Sequence, residues 1–569
     1  MPNKRPWYDR VICKLAKEHA GLTTRAFFKA VRRATATQDQ LLREILDRTA
    51  QSRFGREHGY ANVRGYDDFR RQVPIRNYDA IRPYIDAVRN GDVGALLHPA
   101  EKILMFALTS GTTAEPKYIP VTPRTLDQSR RGWNIWGLKS LADHKGTFLR
   151  HIVQVASPMN DHLAPSGVPC GAITGLLAST QKWLVKRYYT SPLAIAGIVD
   201  ARSKYYTIMR LAIPKDVAWL VTANPSTLLL LARTAHEHRE QMIRDVRDGT
   251  LWNELAVDPK IRHAIAPRLQ PEPELARHLE QIIAGTGTLY PKDYWNLGFR
   301  AHWTGGTMGL YEAQFPKYFG DAPARDVGLI ASEGRMSIPI EDFTATGIAA
   351  VTTQFFEFIP TGEYGSADPI VLRGHELREG EEYFLVLTNH SGLCRYDMGD
   401  RVRVTGWFDE APMIEFLSRD AHTASMAGEK LTEKQVVDAM QRVFKGTAAP
   451  SLFVLSPRFE EVPRYRLYIE HDSTSALDHL PDHFDDALCN VSIEYASKRE
   501  SLRLQRVELA ELPAGFLTER EKRLRRQRSR TAEQFKHQYL LPRPGLDQEL
   551  EAAARLGKPD QMADPVVAP

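Results

Sequence analysis

From residue 103 to about residue 417, short apolar runs alternate with segments of helical spacing, and few folds accept that alternation. Such a chain buries its strands in sheets and covers them with helices. WLVTANPSTLLLLARTAHEHREQMIRDV shows the pattern: 219–222 reads as a strand, Asn224-Pro225-Ser226 as punctuation, and the remainder as one long amphipathic helix. The first hundred residues read as mostly helical, with Thr37-Gln38-Asp39-Gln40 capping a helix through Leu41, Leu42, Ile45 and Leu46. From Asp420 the texture becomes that of a smaller α/β unit, with strands near 452–455 and 465–469. At 569 residues and 43% hydrophobic, the chain exceeds what one core can serve. The expected fold class is α/β: a large multi-layer N-terminal domain over 1–419, a smaller mobile α/β C-terminal domain over 420–544, and a tail over 545–569. That tail should hold one short alanine-rich helix and end in disorder.

Composition removes several function classes. Lys and Arg number 75 against 70 Asp and Glu, so the net charge of +5 implies no polyanion partner and no nucleic acid. The local exception is the basic run from Arg520 to Arg530. It has no interleaved aromatic residues for base stacking, so it reads as a solvated helix face or a surface turned toward a bound nucleotide. No apolar run reaches the roughly 18 residues of a membrane helix, so no membrane association is expected. The start lacks an apolar core for a secretory signal, which makes the cytoplasm the expected compartment. Cys13, Cys170, Cys394 and Cys489 lie far apart with no C-x-x-C pair, as reduced thiols do. His236-Glu237-His238 lacks the H-E-x-x-H spacing of a metal helix.

The segment TSGTTAEPKYIP, Thr109 to Pro120, carries the clearest chemistry. It follows a run, 103–108, that reads as a buried strand. Glycine lets the backbone approach an anion, hydroxyls and N–H groups donate to its oxygens, and a lysine adds a point charge, so the segment can cradle a polyphosphate. The G-x-x-x-x-G-K-[ST] spacing is absent throughout, which argues against a P-loop kinase or ATPase. Taken alone, the same residue types also make ordinary turns.

The company the loop keeps decides between these readings. The loop resembles the first signature of the adenylate-forming enzymes, the acyl-CoA synthetases, nonribosomal adenylation domains and luciferases. More narrowly it resembles the auxin-responsive Gretchen Hagen family of acyl-acid amido synthetases, where S-S-G-T-T is followed by P-K-x-I-P. VPIRNYDAIRPYIDAVRNGD, from Val73, is similar to that family's V-P-x-x-x-Y-x-x-x-x-P-Y-I lead-in. GLIASEGRMSIPI resembles its Y-x-x-S-E motif, with Leu329 or Ile330 at the tyrosine position. HWTGGTMG resembles its T-G-(G/S) segment, and QFFEFIP its F-E-F-I-P strand. LCRYDMGDRVRVTGW resembles Y-R-x-G-D-x-x-x-V-T-G-F, with Asp397 at the second arginine. Gly428-Glu429-Lys430-Leu431-Thr432-Glu433 and AEQFKHQYLLP resemble late segments of the family, so the likeness runs from about 40 to 542 in the family's order.

A carboxylic acid reacts with an amine at neutral pH only after activation, and ATP can supply a mixed anhydride by giving AMP to the carboxylate. Such an enzyme needs a polyphosphate loop, a metal carboxylate, a nucleoside grip and a cation at the transition state. The resemblance implies ATP and Mg²⁺, with phosphates held by Thr109, Ser110, Gly111, Thr112, Thr113 and Lys117. It implies Glu333 as the Mg²⁺ carboxylate, placed just beyond the end of a strand over 327–330, where open α/β sheets bind ligands. By the same resemblance Ala331 and Ser332 are expected against adenine, and Gly305 in the nucleotide pocket or in a plain β-turn. Asp400, at a turn after Gly399, accepts from the ribose hydroxyls, and Arg419 touches the ribose at a hinge with Asp420. The resemblance of AEQFKHQYLLP further implies Lys536 as the catalytic cation, with Lys522 as the alternative. Lys430 reaches phosphate or is a surface lysine. Trp133 and Trp136 line an acyl pocket or pack in the core. Glu357 belongs to the scaffold, near the acyl site.

The implied partners are a small carboxylic acid and an amino acid, acted on by a monomer. One rival is an acyl-CoA ligase, which shares the first half-reaction. The other is a noncatalytic nucleotide-binding protein whose basic Arg520 to Arg530 segment meets its partner.

Overall fold

The computed structural model describes residues 7–109, 116–181, 183–419, 423–445, 450, 452–470, 479–527 and 537–556. Two compact units emerge: Met1–Thr109 with Lys117–Asp420, and Ser110–Pro116 with Ala421–Pro569.

Among the described residues, three larger sheets and one two-stranded hairpin build the first unit. His151–Gln154, Val217–Val221, Phe299–Ala301 and Ala324–Arg325 pair in that order, all parallel. Parallel neighbours need long crossovers, and helices such as Ala201–Ala212 and Pro225–Glu237 supply them. Val217–Val221 is buried along its whole length, as its unbroken apolar run requires of a strand covered on both faces. A second sheet runs Lys117–Val121, Met105–Thr109, Pro169–Gly171, His162–Leu163. The third is a six-stranded antiparallel sheet in the order Ser337–Ile338, Gly347–Ala349, Ala411–Arg419, Tyr396–Phe408, Glu382–Thr388, Phe355–Pro360. One hydrophobic core joins these sheets to the N-terminal helices.

Local sequence signals misplace two helix boundaries. Thr37 does not cap a helix; it lies inside Ala34–Thr49 and its Oγ1 donates to Ala30 O at 3.0 Å. Gln38 beside it is buried, donating to Val351 O and Gln354 O at 2.7 Å each and accepting from Phe356 N at 2.8 Å. Its amide therefore serves the edge strand Phe355–Pro360. The expected long helix after Asn224 is two, Pro225–Glu237 and Arg239–Asp248, parted at His238. His236 and His238 accept from Leu289 N and Arg202 Nε, which accounts for both without a metal.

The second unit holds Phe453–Arg458 antiparallel to Arg464–Glu470, itself parallel to Glu508–Leu512. Helix Glu433–Val443 starts from Thr432 in a reciprocal capping box with Gln435. Glu429 is fully buried, its carboxylate accepting from Met426 N, Ala427 N and Tyr465 OH. The alanine-rich helix of the tail is Gln548–Leu556, and the stretch after it lies outside the described residues. Part of the basic run forms helix Phe516–Gln527, where Arg520 and Arg523 pair with Glu549. Among the described residues, no helix is long and apolar enough to cross a membrane.

His302 follows strand Phe299–Ala301 into the core, stacked on Phe315 at 4.6 Å. Arg300 Nε donates to its Nε2 at 3.3 Å, which leaves Nδ1 as the protonated nitrogen facing Trp303 O at 2.9 Å. Burial pushes the ring down to about 3, opposed by the Trp303 carbonyl. The unfolded ring takes a proton near pH 6.5 and the folded one refuses it until about 3, so this stability is complete above pH 6.5 and lost as pH falls through that window. Urea unfolding between pH 7.5 and 4.5 should therefore be flatter in His302→Asn than in the native chain, by up to one proton, about 1.4 kcal/mol per pH unit. Equal slopes would contradict this.

Candidate functional site

The antiparallel pair Met105–Thr109 and Lys117–Val121 is in register from Met105 opposite Val121 to Thr109 opposite Lys117. Thr109 and Lys117 are thus paired, and they are the two feet between which the Ser/Thr/Gly segment runs. Ser110, Gly111, Thr112 and Thr113 lie outside the described residues. Lys117 Nζ donates to Tyr396 OH at 3.5 Å and sits 5.3 Å from the centre of the Tyr78 ring. Tyr78 OH in turn accepts from Tyr118 N at 2.7 Å, so the second foot is fixed to helix Tyr78–Arg89.

Ser332 and Glu333 form the tip of a hairpin, whose strands Ile330–Ala331 and Gly334–Arg335 are two residues each. This corrects the expected strand over 327–330 and the placement of Glu333 beyond the end of an open sheet. Strands this short cannot hold a turn by themselves, and neighbours do it instead. Asn389 Nδ2 donates to Glu333 O at 2.8 Å while its Oδ1 accepts from Ser391 N. Gly334 has φ +150°, and a Cβ there would fall 2.5 Å from Gln354 Nε2. Gln354 donates from that nitrogen to Arg335 O at 2.7 Å. Ser332 Oγ donates to Leu108 O at 3.5 Å, which sets the tip beside the strand that enters the Ser/Thr/Gly loop.

Glu333 is 5% exposed, and its Oε2 is buried with no hydrogen-bond partner among the described residues. A buried carboxylate oxygen left unpaired costs several kcal/mol. Beside it lies a cleft walled by Gln128 and Ser129 of helix Pro123–Asp143, by Glu333 and Arg335, and by Gln354 and Asn389. Carbon makes up most of its lining, with polar groups at a few points.

Arg335 is a residue that motif reading missed. It is 3% exposed, its guanidinium carbon 4.5 Å from the centre of the Trp133 ring. Nη1 donates to Val327 O at 2.7 Å, whereas Nε and Nη2 find no partner among the described residues. Burial lowers its affinity for the proton, with Asp326 opposing. Asp326 makes no hydrogen bond to it: its oxygens accept from Thr304 N, Thr304 Oγ1 and Gly328 N. Gly132 makes room for the arginine, since a Cβ there would lie 2.5 Å from Arg335 Cδ. A lone arginine after S-E-G gives no signal in sequence.

The remaining candidates fall as follows. Trp136 does not wall this cleft; it is 1% exposed in the core, its Nε1 donating to Asp326 O at 2.7 Å, because it packs between Trp133 and Trp219, and Trp219 stacks in turn on Phe299. Trp133 stands behind Arg335 instead of facing the cleft directly. Gly305 and Gly306 approach the last strand of the six-stranded sheet: a Cβ on Gly305 would lie 3.3 Å from Phe416 O, and one on Gly306 3.1 Å from Leu417 O. Close backbone packing thus accounts for both glycines. Ala331 is half-buried. Asp400 is not at a turn but inside the long strand Tyr396–Phe408, 4% exposed and directly opposite Arg419. The two residues expected at a ribose are therefore neighbours across one strand pair. Asp397, at the family's arginine position, accepts from Gly399 N at 2.8 Å and from Tyr364 OH at 3.0 Å. Glu357 is occupied in a buried pair with Arg395, as a scaffold residue is. Lys536 lies outside the described residues, and Lys522 is exposed and paired with Glu519 at 2.7 Å.

The GH3 family N-terminal domain matches residues 23–324, the GH3 family central domain 347–419 and the GH3 family C-terminal domain 434–544. The chain belongs to the GH3 family. Among its GH3 relatives, indole-3-acetic acid-amido synthetase GH3.8 of Oryza sativa subsp. indica is 26% identical over 79% of this chain and 74% of the relative. Jasmonoyl--L-amino acid synthetase GH3.5 of Oryza sativa subsp. japonica is 25% identical over 76% of this chain and 78% of its own length. The GH3 fold is shared with a solved structure of AtGH3.15 acyl acid amido synthetase in complex with 2,4-DB, at TM-score 0.66 and 20% identity, covering 94% of this chain and 96% of that one.

If Asn389 holds the tip of the Glu333 hairpin, Asn389→Ala should lower stability by about 1–3 kcal/mol in urea unfolding, the cost of leaving a buried carbonyl unpaired. An unchanged midpoint would show that the hairpin supports itself.

Proposed function

We propose that this GH3 protein is an acyl-acid amido synthetase. It activates a small carboxylic acid with ATP as an acyl adenylate, releasing pyrophosphate, and then passes the acyl group to the amine of an amino acid, giving an amide and AMP. The observation that carries the reading is the buried Oε2 of Glu333, which has no partner among the described residues and is held at a hairpin tip beside the strand that enters the Ser/Thr/Gly loop.

In the first half-reaction a carboxylate oxygen attacks the α-phosphorus and pyrophosphate leaves. In the second, the amine attacks the acyl carbon, AMP leaves, and the ammonium proton is lost. We assign the phosphate grip to 109–113 and Lys117, whose ammonium is steadied by Tyr396 and Tyr78. The adenine lies at Ala331, Ser332 and Gly305, and the ribose at Asp400 and Arg419, which face each other across their strands. Lys536 supplies the cation where charge develops on the acyl and phosphoryl oxygens. The acid occupies the cleft between helix Pro123–Asp143 and the Glu333 hairpin.

Glu333 is the residue that would hold Mg²⁺. The fit is chemical: Mg²⁺ takes one or two carboxylates and fills its remaining positions with water and phosphate oxygens, so one carboxylate whose Oε2 has no partner among the described residues suffices. When bound it would neutralise phosphate charge. The free thiols Cys170, Cys394 and Cys489 support a reducing, cytoplasmic setting.

Glu333→Ala and Lys536→Ala should each cut acid-dependent pyrophosphate release by about 10²- to 10³-fold. The unfolding midpoint of Glu333→Ala should hold or rise, because the mutation deletes a buried carboxylate oxygen that has no partner among the described residues. Full activity in both variants would remove the site assignment. AMP formation that requires coenzyme A, and yields no amide with any amino acid, would show a thiol-transferring ligase instead.

A further inference from the structure

We infer that Arg335 recognises a second anionic group on the acid, so that the preferred substrate is a dicarboxylic acid activated at one end. The inference rests on the proposed function and names the substrate class of its cleft.

Three observations carry it. Arg335 walls the cleft at the side of helix Pro123–Asp143, two residues from Glu333. It is 3% exposed, yet two of its three nitrogens, Nε and Nη2, are shielded from water and unpartnered among the described residues. Its neighbours are prepared for a cation and do not neutralise it: Trp133 presents a ring face, Gly132 gives way to the side chain, and Val327 and Ser337 offer carbonyls to Nη1. Asp326, the charge that acts on it, is already held by three donors from Thr304 and Gly328.

A buried guanidinium in this condition is expensive. The cost is recovered when an anion accepts from the free edge, because guanidinium and carboxylate match in a bidentate pair. In the structure those nitrogens are covered, so the contact requires the arginine to turn its free edge toward the cleft as the acid enters.

The reacting carboxylate is the wrong partner for this cation. It loses its charge on becoming a mixed anhydride, so an arginine paired to it would stabilise the ground state and oppose adenylation. A second carboxylate keeps its charge through both half-reactions, and pairing with it assists binding without that penalty.

The experiment compares acids of one carbon skeleton, adipate against hexanoate and isophthalate against benzoate, by pyrophosphate exchange into ATP. The wild-type protein should favour the diacid of at least one pair by about tenfold or more in kcat/KM. Arg335→Met should lower the diacid value about 100-fold and leave the monoacid within a few-fold, while Arg335→Lys retains part of the preference. Should Arg335→Met fail to fold, the wild-type ratio and Arg335→Lys decide. Exchange with monoacids in preference to both diacids, or an unchanged diacid preference in Arg335→Met, overturns the inference and leaves the proposed function standing. No exchange with any acid removes the proposed function. Thermal unfolding with isophthalate and with benzoate then decides the inference: stabilisation by isophthalate that Arg335→Met abolishes supports it, and equal shifts overturn it.

Discussion

A carboxylate oxygen buried without a partner is among the costliest features a fold can carry, and Glu333 carries one, with no partner among the described residues, at the tip of a hairpin with two-residue strands. That tip exists only because other elements hold it. Asn389 grips the Glu333 carbonyl from beyond the end of strand Glu382–Thr388, Gln354 closes over Gly334 from the approach to strand Phe355–Pro360, and Ser332 reaches the strand that enters the Ser/Thr/Gly loop. Two strands of the six-stranded sheet thus lead directly to the residues that support one turn.

The same sheet is locked from its far edge. Gln38 spends its whole amide on Val351, Gln354 and Phe356, so the helix Ala34–Thr49 is bonded to the segment that carries Gln354. Arg395, in a left-handed conformation with φ +42°, pairs with Glu357 inside the core and donates to the carbonyls of Arg70 and Val73. The next residue, Tyr396, accepts from Lys117. Breaking a buried pair of this kind by removing one partner costs about 3–5 kcal/mol, and here the damage would extend to the foot of the loop. Stability and site geometry rest on the same residues.

Much of this was legible in the sequence, and the failures share a cause. Apolar runs and turn residues located the strand Val217–Val221 to within two residues and the helix start at Asn224. The motifs selected Ser332, Glu333 and Asp400, and two of these three proved buried and the other half-buried. What motifs could not provide was context. Gln38 and Thr37 look like a cap because polar residues before an apolar face usually are one, and only the distant strand at Phe356 gives the glutamine its use. Trp136 looked like a pocket wall because aromatic residues serve pockets and cores alike; its neighbours Trp133 and Trp219 decide for the core. Arg335 and Asn389 had no motif at all, since their roles depend on Trp133, Val327 and the Glu333 carbonyl, which lie on other segments.

The central claim is that the chain joins AMP to a carboxylate before an amine arrives. An acid labelled with oxygen-18 in its carboxyl group, incubated with ATP, Mg²⁺ and amino acid, tests this most directly by mass spectrometry of the products. The account predicts one labelled oxygen in AMP and unlabelled pyrophosphate, because the attacking carboxylate oxygen stays on the α-phosphorus when the amide forms. Label in inorganic phosphate with ADP as the nucleotide product would mean an acyl phosphate and would contradict it.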